Sequence, residues 1–166
     1  MNRSIARLTS AAAAVAVTAV GAVILTPGSA LAAAATKCSS VQKNEWDTIG
    51  PDLDLAVQLC VTRNSSNDYR AYADISWNDG GGGVSAGMED LILNLRLERN
   101  DADYRNEDFN INSPIRVNES GSTRVYGSTY RSSTTGGWTA DGHVEWDIQN
   151  DGKGGDTWPL GGSPSI

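Results

Sequence analysis

A side-chain period of two governs the chain from about residue 53 onward. In "LDLAVQLCV", Leu53, Leu55, Val57, Leu59 and Val61 alternate with Asp54, Ala56, Gln58 and Cys60. In "YRAYADISW", Tyr69, Ala71, Ala73, Ile75 and Trp77 share one parity, and in "LILNLRLER" Leu91, Leu93, Leu95 and Leu97 do the same. Successive side chains of a strand point to opposite faces, so each stretch predicts a strand with one buried and one wet face.

The pattern continues more softly. "FNINSPIRV" places Phe109, Ile111, Ile115 and Val117 on one parity, with Pro114 pointing to an edge strand or a bend. "TRVYGSTYR" sets Tyr126 and Tyr130 on a shared face, and "WTADGHVEWDI" aligns Trp138, Ala140, Val144, Trp146 and Ile148. Turn-forming residues separate these runs at 64–68, 78–83, 118–122 and 132–137. No helix of useful length is expected after the first segment. Alternating strands joined by short polar turns predict an all-β fold, an antiparallel β-sandwich of about six to eight strands, with a small closed barrel as the second architecture.

The first segment stands apart. Arg3 and Arg7 precede an uncharged apolar run from Ala11 to Leu25, and Ala30-Leu31-Ala32 supplies small residues before a cut. This layout predicts a secretory signal peptide over residues 1–32, cleaved after Ala32, with Ala34 as a neighbouring position. The run of about 15 residues is shorter than the roughly 20 that span a bilayer, so no membrane attachment is expected after cleavage. Residues 33–166 then form one domain. Arg outnumbers Lys by 10 to 3, a usage common in bacteria with GC-rich genomes, and a secreted, extracellular bacterial protein is the expectation.

Cys38 and Cys60 are the only cysteines. In an exported chain they predict a disulfide that ties an extended or irregular N-terminal arm, Lys37 to Asp52, to the first long strand. Cys60 alternates with the leucines, so the bridge is expected on the outer side of that strand. The final "LGGSPSI" reads as a loose tail or a last edge pairing.

Charge excludes one class of partner. The net charge of −7 becomes −9 once Arg3 and Arg7 leave with the signal segment, and such a surface repels phosphate backbones. Nucleic acid is therefore not an expected partner.

Candidate chemistry is sparse. Asp141, His143, Glu145 and Asp147 line one face of the last long strand, which could ligate a metal but is also what a solvated strand face carries. Asp147, Gln149 and Asp151 alternate before Gly152 as in a calcium loop, with Asp156 as a further donor, yet Trp158 stands where the bidentate acid belongs. "GVSAG" places Ser85 in the G-x-S-x-G pattern, but no helix is expected to follow it. Glu89, Glu98, Glu145 and Asp147 could pair as glycosidase carboxylates, but twenty acidic residues give no ground for choosing two. No catalytic set is expected, and calcium is the one candidate cofactor.

Aromatic residues supply the remaining signal. Trp77, Trp138 and Trp146 share parity with core positions. Trp46 and Trp158 fall in irregular segments, and Tyr72, Tyr126 and Tyr130 can project outward. Exposed rings anchor protein contacts or stack on sugars. Trp46, Tyr126, Tyr130 and Trp158 are thus the candidate binding residues. The expected function is a non-catalytic protein-interaction module, an adaptor, inhibitor or subunit of an extracellular complex. A carbohydrate-binding module is the alternative.

Overall fold

The computed structural model describes residues 33–48, 52–78 and 87–166. The expected signal segment and Ser85 lie outside the described residues. Among the described residues ten strands and one short helix follow in order: β1 Ala35–Cys38, β2 Gln42–Trp46, β3 Leu53–Arg63, β4 Asp68–Asn78, β5 Met88–Arg99, β6 Ala102–Asn110, α1 Asn112–Val117, β7 Gly121–Tyr126, β8 Tyr130–Arg131, β9 Trp138–Ile148 and β10 Asp156–Leu160. They form two antiparallel sheets. The six-stranded sheet runs β1-β3-β4-β7, with β2 also on β3 and β8 also on β4; the four-stranded sheet runs β10-β9-β5-β6.

The alternating residues do what their spacing demands. Leu53 to Val61 of β3, Tyr69 to Trp77 of β4 and Leu91 to Leu97 of β5 bury every second side chain. Trp138, Ala140 and Val144 of β9 complete the same core, which draws on both sheets. Removing each large aliphatic from water contributes roughly 1.5–3 kcal/mol, and this burial is the main stabilising term. Tyr69 of β4 stacks on Trp138 of β9 at 4.4 Å between ring centroids.

Turn chemistry sets the registers. Asn64 Oδ1 accepts from the backbone N–H of Ser66 and Asp68, closing the β3–β4 turn. β5 and β6 are joined through Asn100 and Asp101, both at positive φ, 50° and 63°. Two consecutive positive-φ residues match the right-handed twist of a hairpin, and Asn and Asp tolerate that region.

Several expectations need correction. The run 109–117 is not one strand: β6 ends at Asn110 and α1 begins at Asn112. Ile111 and Ile115 are four residues apart, a spacing that buries both in a strand or in a helical turn. Pro114 sits in the first turn, where its missing N–H costs nothing. Tyr126 and Tyr130 do not share a face. Tyr126 opposes Tyr72 and Tyr130 opposes Tyr69, so one extra residue intervenes between the two pairings. That slip flips Tyr130 to the core side. Of the two forms expected for the N-terminal arm the structure has the extended one, two strands both hydrogen bonded to β3. Of the two expected for the tail it has pairing, through Ile166 N–H to Trp138 O at 3.0 Å and Ser163 N–H to Ala140 O at 2.8 Å.

Cys38 and Cys60 are bonded and directly opposed across β1 and β3. The bridge lies on the outer side of β3, yet Cys60 is 0% exposed. Tyr72 covers it, with its hydroxyl 3.8 Å from Cys38 Sγ. Closing a loop of 22 residues stabilises by about 3 kcal/mol on the chain-entropy estimate. The double variant Cys38→Ala/Cys60→Ala should lose roughly that amount in urea unfolding followed by tryptophan emission. An unchanged midpoint would contradict the role given to the bridge.

Gly121 marks a close approach. A Cβ there would sit 2.6 Å from the Trp77 ring, whose Nε1 donates to Asn118 O at 3.1 Å. Gly121→Ala is expected to cost about 1–3 kcal/mol by displacing a buried indole, read as a lower urea midpoint with altered tryptophan emission.

Candidate functional site

The outer face of the six-stranded sheet is built from the residues that alternate with the core. Antiparallel register arranges them in rows across the strands. Cys60 opposes Tyr72, which opposes Tyr126; Gln58 opposes Asp74, which opposes Arg124. In the next row Lys43, Ala56, Ser76 and Ser122 stand side by side, followed by Glu45, Asp54 and Asn78.

Side-chain length then shapes the surface. Ala56, Ser76 and Ser122 are short, while the rows on either side carry longer groups. The result is a trough across β2, β3, β4 and β7, made of two adjoining depressions of about 760 and 470 Å³ that share Val41, Ala56 and Ser76.

Beside it lies a patch of two tyrosines and two arginines. The Tyr72 and Tyr126 rings are 5.6 Å apart. The Arg124 guanidinium lies 4.6 Å from the centre of Tyr72, and that of Arg70 lies 4.3 Å from the centre of Tyr126. Arg124 donates to both carboxylate oxygens of Asp74, at 2.5 and 2.8 Å, and that hydrogen bonding holds its guanidinium even more firmly protonated than usual. Arg70 is fixed from its other side by donation to Gly127 O at 2.6 Å. Tyr126 remains 44% exposed within this frame.

Of the four aromatic residues expected to bind, only Tyr126 is placed on this face. Trp46 is 4% exposed and packs on Trp146 and Trp158, each at 5.8 Å. Both Trp46 and Trp158 stand in strands rather than irregular segments. Tyr130 is half-buried against Tyr104 at 4.9 Å and Trp138 at 5.5 Å. Sequence reasoning did not single out Arg70 and Arg124. Their parity marked them as outward, but only the register brings them to the tyrosines.

The carboxylate strip of β9 is on the outer side of the other sheet. His143 Nε2 is 3.3 Å from Glu145 Oε1, and Asp141 accepts from Arg96 at 2.9 Å. Asp147 and Asp156 line a depression of about 270 Å³ with Asp90 and Glu145, whereas Gln149 and Asp151 do not. Asp151 and Asp156 instead accept from the backbone N–H of Lys153 and Thr157, each at 2.7 Å. Among the described residues no group of three or more His, Cys, Asp or Glu is arranged to hold a metal ion.

Glu98 is the one buried acid among the described residues, 7% exposed. Burial pushes its carboxyl above the ordinary range, and the nearby Asp141 adds to the effect. Arg96 Nε is 3.2 Å away but is not aligned as a hydrogen-bond donor, so the ion pair compensates only in part. A folded state that holds this proton more tightly gains most below the unfolded carboxyl value of roughly 4.3, and loses that gain as pH rises through the folded value. Glu98→Gln should therefore raise the melting temperature at pH 7, with the difference closing near pH 4. A variant equal to the parent at pH 7 would contradict this.

No family model, no curated protein and no solved structure matches the chain.

Proposed function

We propose that the chain is a secreted, non-catalytic protein-interaction module, an antiparallel β-sandwich that works in the extracellular space after loss of residues 1–32. The sandwich reading is supported by two sheets contributing to one core and by the Tyr69–Trp138 stack between them. Export is supported by the basic and apolar start of the sequence and by the buried Cys38–Cys60 bridge, which an oxidising compartment favours.

The observation that carries the binding reading is the Tyr72–Tyr126–Arg70–Arg124 patch. Tyrosine and arginine are the residue types that concentrate binding energy in protein contacts. Here the rings and guanidinium groups hold one another in place before any partner arrives. A prearranged ring loses little rotamer freedom on contact, so more of the gross interaction survives as affinity. Arg124 is neutralised by Asp74 and can be desolvated at lower cost than a lone charge, while Arg70, in no ion pair among the described residues, offers its charge to an acidic group on the partner.

The test is capture from native culture supernatant with C-terminally tagged protein beginning at Ala33, in parent and Tyr126→Ala forms. A stoichiometric protein bound by the parent, and bound roughly 30-fold more weakly by the variant, is expected for a central tyrosine. A partner held equally by both forms, or no partner at all, would overturn the proposal.

A further inference from the structure

We infer that the trough across β2, β3, β4 and β7 binds a neutral oligosaccharide. This goes beyond the protein-partner reading and does not depend on it: the trough shares only Arg124 with the Tyr/Arg patch, and its floor and Asn78 lie outside that patch.

Shape comes first. Strands lie about 4.8 Å apart, so four abreast give a trough roughly 14 Å long, enough for a short chain of sugar rings. The floor of Ala56, Ser76 and Ser122 lies between the Gln58–Asp74–Arg124 row and the Asp54–Asn78 row. The larger depression, about 760 Å³, is of ligand-site size.

The lining chemistry selects the occupant. Sugar hydroxyls both donate and accept, and the trough offers carboxylates at Asp54 and Asp74, a donor at Lys43, and hydroxyls and an amide at Ser76, Ser122 and Asn78. Lys43 and Arg124 nearly balance Glu45, Asp54 and Asp74, so the site attracts neither a polyanion nor a polycation strongly. Val41, 54% exposed, and the Ala56 methyl give apolar contact for the carbon face of a ring.

A peptide strand fits less well. The trough crosses strands whose floor backbone is already paired in the β3–β4 and β4–β7 ladders, so an incoming strand could not extend the sheet there.

Electrophoresis in native gels tests this with no protein partner present. The probes are laminarin, mannan, xylan and hydroxyethylcellulose as neutral polymers, and alginate and chitosan as charged ones. The parent should be retarded in at least one neutral gel, and Ser76→Arg, which fills the floor, should lose the retardation. Asn78→Ala should weaken it at least tenfold while leaving the trough open. Thr157→Ala, on the other sheet, should migrate as the parent does. Unchanged melting curves establish that the variants fold. Retardation in charged gels alone, in no gel, or undiminished in Ser76→Arg and Asn78→Ala would overturn the inference.

Discussion

Burial of the leucine face of β3 is the constraint on which the other strands depend. β3 is hydrogen bonded to β4 from Asp54 to Arg63 along one edge. Its other edge is divided between β2, against Leu53–Val57, and β1, against Cys60–Arg63. With Leu53, Leu55, Val57, Leu59 and Val61 all buried, β3 cannot slip by one residue without turning five apolar side chains to water. Its register therefore fixes β4, and through β4 that of β7. The Cys38–Cys60 bridge adds a covalent pin to the short strand β1, which has little burial of its own.

That constraint acts on one face only. Apart from Cys60 in the bridge and Tyr72 over it, the outward residues of β3 and β4 are free of that packing demand, so their character has to be explained by something other than the core. Ala56, Ser76 and Ser122 are small where a solvated sheet tolerates long charged groups. Tyr72 and Tyr126 place rings where polar residues would serve solubility better. Both departures stand on one face, with only the Gln58–Asp74–Arg124 row between them, and Trp77 needs Gly121 beneath the trough's edge to seat its indole. A trough and an aromatic patch side by side, neither required by the core, are the physical ground for placing function here.

The long strands were legible because period two extends over enough residues to be unambiguous. β9 matches its alternating stretch from Trp138 to Ile148. β6 was not legible: its sequence, "ADYRNEDFN", is polar on both parities, and it folds because Asn100 and Asp101 turn it back onto β5. Trp46 and Trp158 looked irregular because each stands in a strand of only five residues, too short to display a period. Parity alone gave the outward direction of Tyr72 and Tyr126. It could not give the shift between Tyr126 and Tyr130, nor the pairing of Asp74 with Arg124, because cross-strand register depends on turns that the local pattern does not encode.

Charge separates the two outer faces. On the four-stranded sheet the buried Glu98, Asp141 and Asp103 surround Arg96, which meets both Glu98 and Asp141, and Asp108 and Glu145 extend the acidic face along β6 and β9. On the six-stranded sheet Asp74 is matched by Arg124, and Lys43 stands among Glu45 and Asp54. The acidic excess of the chain is thus weighted toward the β5–β9 side, where it keeps the protein dispersed and repels acidic neighbours. Water is stripped from matched charges at lower cost than from uncompensated carboxylates, since each member of a pair retains a partner after desolvation. A ligand approaching in water therefore meets its smaller desolvation cost on the β3–β4–β7 side, the face that also holds the exposed ring and the trough.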